Sequence, residues 1–157
     1  MDIALFRKAF WDKFGATRNV PEYVFWDPID RLKEDACPEV DGMISIKKQR
    51  LLNLAFSFLQ PDECYLEVGT YKGKSLISAM QNNPWRPVVA CDNFVQFQAL
   101  GNSREELRTN LARYGFEDHV IFYDCDFREV YTAERLPHPV GLYFYDGAHD
   151  YQAQYDA

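Results

Sequence analysis

Residues 64–80, Cys-Tyr-Leu-Glu-Val-Gly-Thr-Tyr-Lys-Gly-Lys-Ser-Leu-Ile-Ser-Ala-Met, constrain the fold more than any other stretch of the chain. The apolar run of Tyr65, Leu66 and Val68 carries Glu67 and ends at Gly69. A second glycine, Gly73, follows, and then Ser75, Leu76, Ile77 and Met80 set up a helical pattern. Strand, glycine turn and helix start in succession make a nucleotide-cradling element. The glycines let the backbone come close to a ligand, and the helix start presents free N–H groups.

Two glycine fingerprints bear on the ligand. The dinucleotide pattern Gly-x-Gly-x-x-Gly fails, because only Gly69 and Gly73 are present. The phosphate-loop pattern nearly fits through Gly73-Lys74-Ser75, yet it needs a glycine where Val68 stands. Counted from Gly69, the loop is one residue short of wrapping a triphosphate. Glu67 would also repel a polyphosphate, and it suits a ligand with a cationic or hydroxyl-rich face. A phosphate-loop hydrolase or kinase using Lys74, Ser75 and Asp146 is the rival reading. The plain alternative is a βα turn with incidental glycines.

At 157 residues the chain is one domain by size, with enough length for a core. Apolar residues at 47% and aromatics at 16% exclude a disordered chain. A net charge of -7 argues against duplex nucleic acid and anionic membrane surfaces as partners. No apolar run reaches membrane-spanning length, and Met-Asp-Ile-Ala-Leu-Phe-Arg-Lys lacks the order of a secretory signal. Cys37, Cys64, Cys91 and Cys125 show no Cys-x-x-Cys spacing, so the expectation is a reduced, cytoplasmic, soluble protein.

Residues 2–14 read as an amphipathic helix with Ile3, Phe6, Phe10 and Phe14 on one side, ending at Gly15. Residues 20–37, rich in aromatics and prolines, read as a cap packed on the domain rather than a lid. The expected division is residues 1–43 as helix and cap, and 44–157 as the nucleotide-binding unit. A helix from Ser45 to Gln60 stops at Pro61. The unalternating run Pro87–Cys91 suits a strand covered on both faces. It ends in Asp92, 25 positions after Glu67, where a carboxylate can accept both hydroxyls of a ribose. Ser103-Arg-Glu-Glu106 reads as a capping box for the next helix. Strands follow at 119–123 and 140–145, with His138 in a loop between two prolines. The fold class is α/β, a Rossmann-like parallel sheet with helices on both faces and the first strand central.

The string Glu67-x-Gly69-x-x-x-Gly73 resembles motif I of the class I S-adenosylmethionine-dependent methyltransferases. Over Glu67–Ser75 it is most similar to the catechol and caffeoyl-CoA O-methyltransferase branch and to related enzymes acting on sugars and antibiotics. The resemblance implies that Glu67, Gly69, Thr70, Tyr71, Gly73 and Ser75 surround the cofactor's methionine end. It implies that Asp92 holds the ribose and that Asp126 and Phe127 hold the adenine, with Asp124 as a rival to Asp126. Asp146-Gly-Ala-His149-Asp-Tyr151 resembles the same branch's Asp-Gly-x-His-x-Tyr segment. There Asp146 would be a magnesium ligand or acceptor-site carboxylate and His149 the general base. Asp-Gly is also ordinary turn chemistry, and one aspartate does not make a magnesium site.

The implied function is methyl transfer to a hydroxyl of a small molecule, a sugar or natural product being the model acceptors. The resemblance runs from about Ser45 to Ala157 and spans four of the family's seven strands, a sheet that looks truncated after the fourth. Strand four would then be an apolar edge, to be covered by further chain, a second copy or a partner. A catalytically inactive cofactor-binding or assembly module is the remaining alternative.

Overall fold

The computed structural model describes residues 1–14 and 35–157. The proline-rich cap expected over 20–37, and the helix end at Gly15, lie largely outside the described residues. In chain order the elements are α1 (Ile3–Phe14), α2 (Ile46–Ser57), β1 (Cys64–Val68), α3 (Lys74–Met80), β2 (Val88–Cys91), α4 (Ser103–Arg113), β3 (Ile121–Tyr123), β4 (Val140–Tyr145) and α5 (Tyr151–Asp156). The strands make one parallel sheet in the order β3-β2-β1-β4. The expected Rossmann-like arrangement with β1 inside the sheet is borne out.

β1 and β2 are buried along their whole length, which is why neither alternates polar with apolar residues. Their register sets Tyr65 beside Val88 and Glu67 beside Ala90 on one face, with Leu66 beside Val89 and Val68 beside Cys91 on the other. The first face packs under α2, α3 and α4 through Phe56, Leu76, Ile77, Leu107 and Leu111. The second, smaller core joins Leu66, Val68, Val89 and Cys91 to Phe127, Val130 and Ala153 of α5. At about 25 cal/mol per Å² of apolar area, these two layers are the main favourable contribution to folding.

β4 pairs with β1 on one side and, among the described residues, is an edge strand on the other, as its sequence position implied. Val140 and Tyr143 are exposed on it, and the Tyr143 and Tyr131 hydroxyls meet at 2.6 Å. The strand order reverses between β1 and β4. In open α/β sheets the crevice beyond the carboxyl ends of the strands at such a point is where ligands sit.

One local reading is corrected. Ser103 does not cap α4: the Asn102 side chain accepts from the Glu105 amide at 3.3 Å, one residue earlier than the capping box places the start. Glu106 is therefore free of backbone duty, and it pairs instead with Lys72 at 2.9 Å. Ser103 Oγ is buried without a hydrogen-bond partner among the described residues.

Candidate functional site

A groove of about 430 Å³ opens at the carboxyl ends of β1, β2 and β4. Its volume falls within the range of small-molecule sites. The loop after β1 forms its floor. Gly69 has φ +84°, and a Cβ there would stand 2.3 Å from the Asp146 carbonyl oxygen. The Asp146 amide in turn donates to the Val68 carbonyl at 2.8 Å. Gly69 is thus required by the approach of two chain segments. Gly73, φ +87°, is also a packing glycine: an added Cβ would meet Leu107 Cδ1 of α4 at 2.7 Å. Both glycines were expected to admit a ligand. Gly69 lines the groove and Gly73 does not.

Glu67 is a second departure from expectation. Its alternation along β1 turns the side chain toward α3, where it is fully buried and does not line the groove. Tyr65 Oη donates to one carboxyl oxygen, and Ser75 Oγ donates to the other at 2.8 Å. Burial pushes the Glu67 carboxyl up to about 8, against the opposing pull of those two hydroxyls. Ser75 does line the groove, so Glu67 stands one hydrogen bond behind its wall.

Asp92 ties the two sides of the floor together. One carboxylate oxygen accepts from the Tyr71 amide and the other from the Phe94 amide, each at 2.7 Å. Both donors are non-glycine residues with positive φ, 50° and 56°, a conformation that costs about 1–2 kcal/mol each and is held here by the carboxylate. Each carboxylate oxygen has a further lone pair, so Asp92 keeps acceptor capacity toward the groove. Thr70 Oγ1 adds a bond to the Cys91 carbonyl at 3.3 Å.

Asp126 and Phe127 line the far wall, whereas their rival Asp124 does not; it pairs with Arg104 of α4 at 2.5 Å. Asp126 accepts from the Arg128 amide at 2.9 Å and meets its guanidinium at 3.1 Å. The guanidinium lies 4.6 Å over the Phe127 ring, whose edge packs on Tyr131 and Tyr145. A planar ring stacking on the covered face of Phe127 would have to displace Arg128.

Asp146 and His149 reach the mouth from the turn after β4 and are exposed. His149 Nε2 is 3.6 Å from Asp146 Oδ1, beyond hydrogen-bond distance, while Nδ1 faces Gln154 Nε2 at 3.3 Å. The Gln154 amide nitrogen only donates, so in this contact Nδ1 would be the accepting ring nitrogen. Among the described residues, no three His, Cys, Asp or Glu side chains gather as a metal site. The described residues do not by themselves make the magnesium site that the resemblance implied for Asp146.

The ammonium ends of the loop's basic residues are engaged by other segments. Lys74 Nζ bonds the Val40 carbonyl at 2.9 Å and Asp35 at 2.8 Å, and Lys72 joins Asp41 at 3.0 Å to Glu106. These contacts clamp residues 35–42 onto the loop and lead Gly42, Met43 and Ile44 into the groove wall. Sequence reasoning missed that segment, as it missed Phe94–Phe97 on the opposite rim. The only signal was the pair of aspartates, Asp35 and Asp41, spaced to meet two lysines distant in sequence.

A family model described as a methyltransferase domain matches residues 66–157. The chain belongs to that family. The chain is 29% identical over 106 residues to an uncharacterized protein of Acanthamoeba polyphaga mimivirus, covering 65% of this chain and 46% of that protein. Among solved structures it is similar to cofactor-bound Rv0187 from MTB, with 25% identity, TM-score 0.54, and coverage of 87% of this chain and 59% of the other. A Bacillus cereus O-methyltransferase in complex with SAH shares the fold, at 19% identity and TM-score 0.53 over 87% of this chain and 60% of that one. The chain thus spans about half the length of its curated relative and about 60% of these structures. The family resemblance carried by residues 67–75 and 146–151 is borne out at this level.

Proposed function

We propose that the groove binds S-adenosylmethionine and that the domain serves transfer of its methyl group to a hydroxyl of a small molecule, a sugar or natural product among the candidate acceptors. The observation that carries this reading, beside the family match, is the charge of the groove. Asp92, Asp126, Asp146 and Asp150 line it, while its cations, Lys74 and Arg128, are each engaged by carboxylates. Such a lining favours a cationic, phosphate-free nucleoside. It opposes the phosphate-loop alternative, whose lysine must reach a phosphate; here Lys74 turns to Asp35 and the Val40 carbonyl.

When bound, S-adenosylmethionine supplies a methyl group activated by a positive sulfur. Asp92 accepts the ribose hydroxyls on lone pairs left over from the Tyr71 and Phe94 amides. Ser75 meets the amino-acid end, with Gly69, Thr70 and Tyr71 shaping the floor around it. Asp126 takes the purine amino group after giving up part of its pairing with Arg128, and Phe127 packs beside the ring. His149 accepts the acceptor hydroxyl's proton at Nδ1, the hydroxyl taking the place of the Gln154 amide. Asp146 orients the resulting imidazolium from the Nε2 side. The buried free thiols Cys37, Cys64 and Cys91 fit a reducing, cytoplasmic setting, and among the described residues no helix is long and apolar enough to cross a membrane.

Titration calorimetry with S-adenosylhomocysteine and with magnesium ATP, followed by labelled methyl transfer to a panel of sugars and phenols, tests the reading. Binding of the first ligand, with turnover lost in His149→Ala, is the expected result. Binding of ATP alone, abolished in Lys74→Ala, would replace this reading with the phosphate-loop one. Binding with no turnover on any acceptor would make the chain a cofactor-binding module.

A further inference from the structure

Glu67 is the one fully buried carboxyl on the face of the sheet that packs under α3, and it has no cation beside it among the described residues. Its partners are two neutral hydroxyls: Tyr65 Oη from β1 and Ser75 Oγ from α3. The other charged groups that act on it, Asp92 beyond β2 and Asp146 beyond β4, are both carboxylates. Isolated from water and surrounded by negative charge, a carboxyl group is favoured in its neutral, protonated form.

Ser75 decides what the groove feels of this. A serine hydroxyl has one proton to donate and lone pairs to accept. When Glu67 is ionised, Ser75 gives its proton backward to the carboxylate and turns a lone pair toward the groove. When Glu67 is protonated, the acid can donate to Ser75, whose own proton is then free to point outward. The first arrangement receives a ligand ammonium; the second repels it.

Resting on the cofactor reading above, we infer that Glu67 is a positioning residue that acts through Ser75 and releases one proton when a ligand α-ammonium group binds. The O–H bond of the neutral carboxylic acid breaks, the electron pair stays on the carboxylate, and the proton passes to the buffer. The ammonium N–H then donates to Ser75 Oγ, and the ligand's positive charge balances the buried negative one. The upward displacement of the Glu67 carboxyl, to about 8, places this exchange within the neutral range. Acidic conditions therefore weaken binding without changing any surface residue.

The test is calorimetry of S-adenosylhomocysteine binding in several buffers of different ionisation enthalpy near pH 7, repeated with 5′-methylthioadenosine, which carries the same nucleoside without the ammonium group. Release of close to one proton per S-adenosylhomocysteine, and none with methylthioadenosine, is the expected result. Glu67→Gln should bind with buffer-independent heat. In the wild-type protein the Kd should tighten about tenfold per pH unit on approach to pH 8 and then level off. Should Glu67→Gln fail to fold, the wild-type pH series and Ser75→Ala, expected to flatten it, decide the matter. Buffer-independent heat with the wild-type protein, or equal proton release with both ligands, overturns the proton exchange while leaving the cofactor reading intact. No binding of either ligand overturns both.

Discussion

The two ends of the groove are built differently. At the β1 end polar side chains in and behind the floor are tied down: Glu67 by two hydroxyls, Asp92 by two amides, Thr70 by a carbonyl, Lys74 by Asp35. At the β4 end Asp146 and His149 are exposed, and the gap between them is 3.6 Å. Buried hydrogen bonds fix geometry because leaving any of these groups unpaired is costly, whereas exposed groups exchange partners with water almost freely. The first end is therefore shaped before a ligand arrives. The second is a pair of exposed side chains that no buried contact fixes.

Substitutions can break this contrast, beginning with the largest effect. Gly69→Ala drives a methyl group into the Asp146 backbone from a left-handed conformation, and should cost about 4 kcal/mol or abolish folding in a denaturant titration. Gly115→Ala is its control: φ is +75° there, but nothing lies within 4 Å, so only about 1–2 kcal/mol of backbone cost is expected. Lys74→Ala leaves Asp35, nearly as buried as its partner, without a counter-ion, and should cost about 3 kcal/mol. Hydrogen exchange should then speed up at the Val40 amide as residues 35–42 loosen.

The next effect is a slope. Folded Glu67 keeps its proton up to about 8, while the unfolded chain loses it near 4.5. Between those values the folded state binds more protons, so stability falls as pH rises, by up to about 1.4 kcal/mol per pH unit. Glu67→Gln should remove that slope from unfolding curves of the ligand-free protein; an unchanged slope would mean the carboxyl is ionised at rest. The smallest stability effect belongs to the β4 end, where His149→Ala should change stability by less than about 0.5 kcal/mol while methyl transfer drops about a hundredfold.

The sheet was legible because the strands announce themselves as short apolar runs ending in Glu-x-Gly, Asp92 and Asp146, each followed by a turn. That residues on strand ends line one groove was legible for the same reason: the topology brings Gly69, Asp92, Asp126 and Asp146 to one edge. What could not be read was direction. That Glu67 faces α3 follows from its parity with Tyr65 on a strand buried on both faces, where polarity gives no clue to side. That Gly73 packs on Leu107, and that both loop lysines hold residues 35–42, depend on contacts between segments far apart in sequence. The misplaced cap of α4 is a one-residue competition between Asn102 and Ser103, two residues equally suited to the role.

The central claim is that this groove selects a phosphate-free cationic nucleoside. Crystals grown with both S-adenosylhomocysteine and magnesium ATP present put it to the most direct test. The account predicts a ribose diol on the Asp92 carboxylate and an amino group at Ser75 Oγ. Phosphoryl oxygens seated against the amides of residues 70–75 would contradict it.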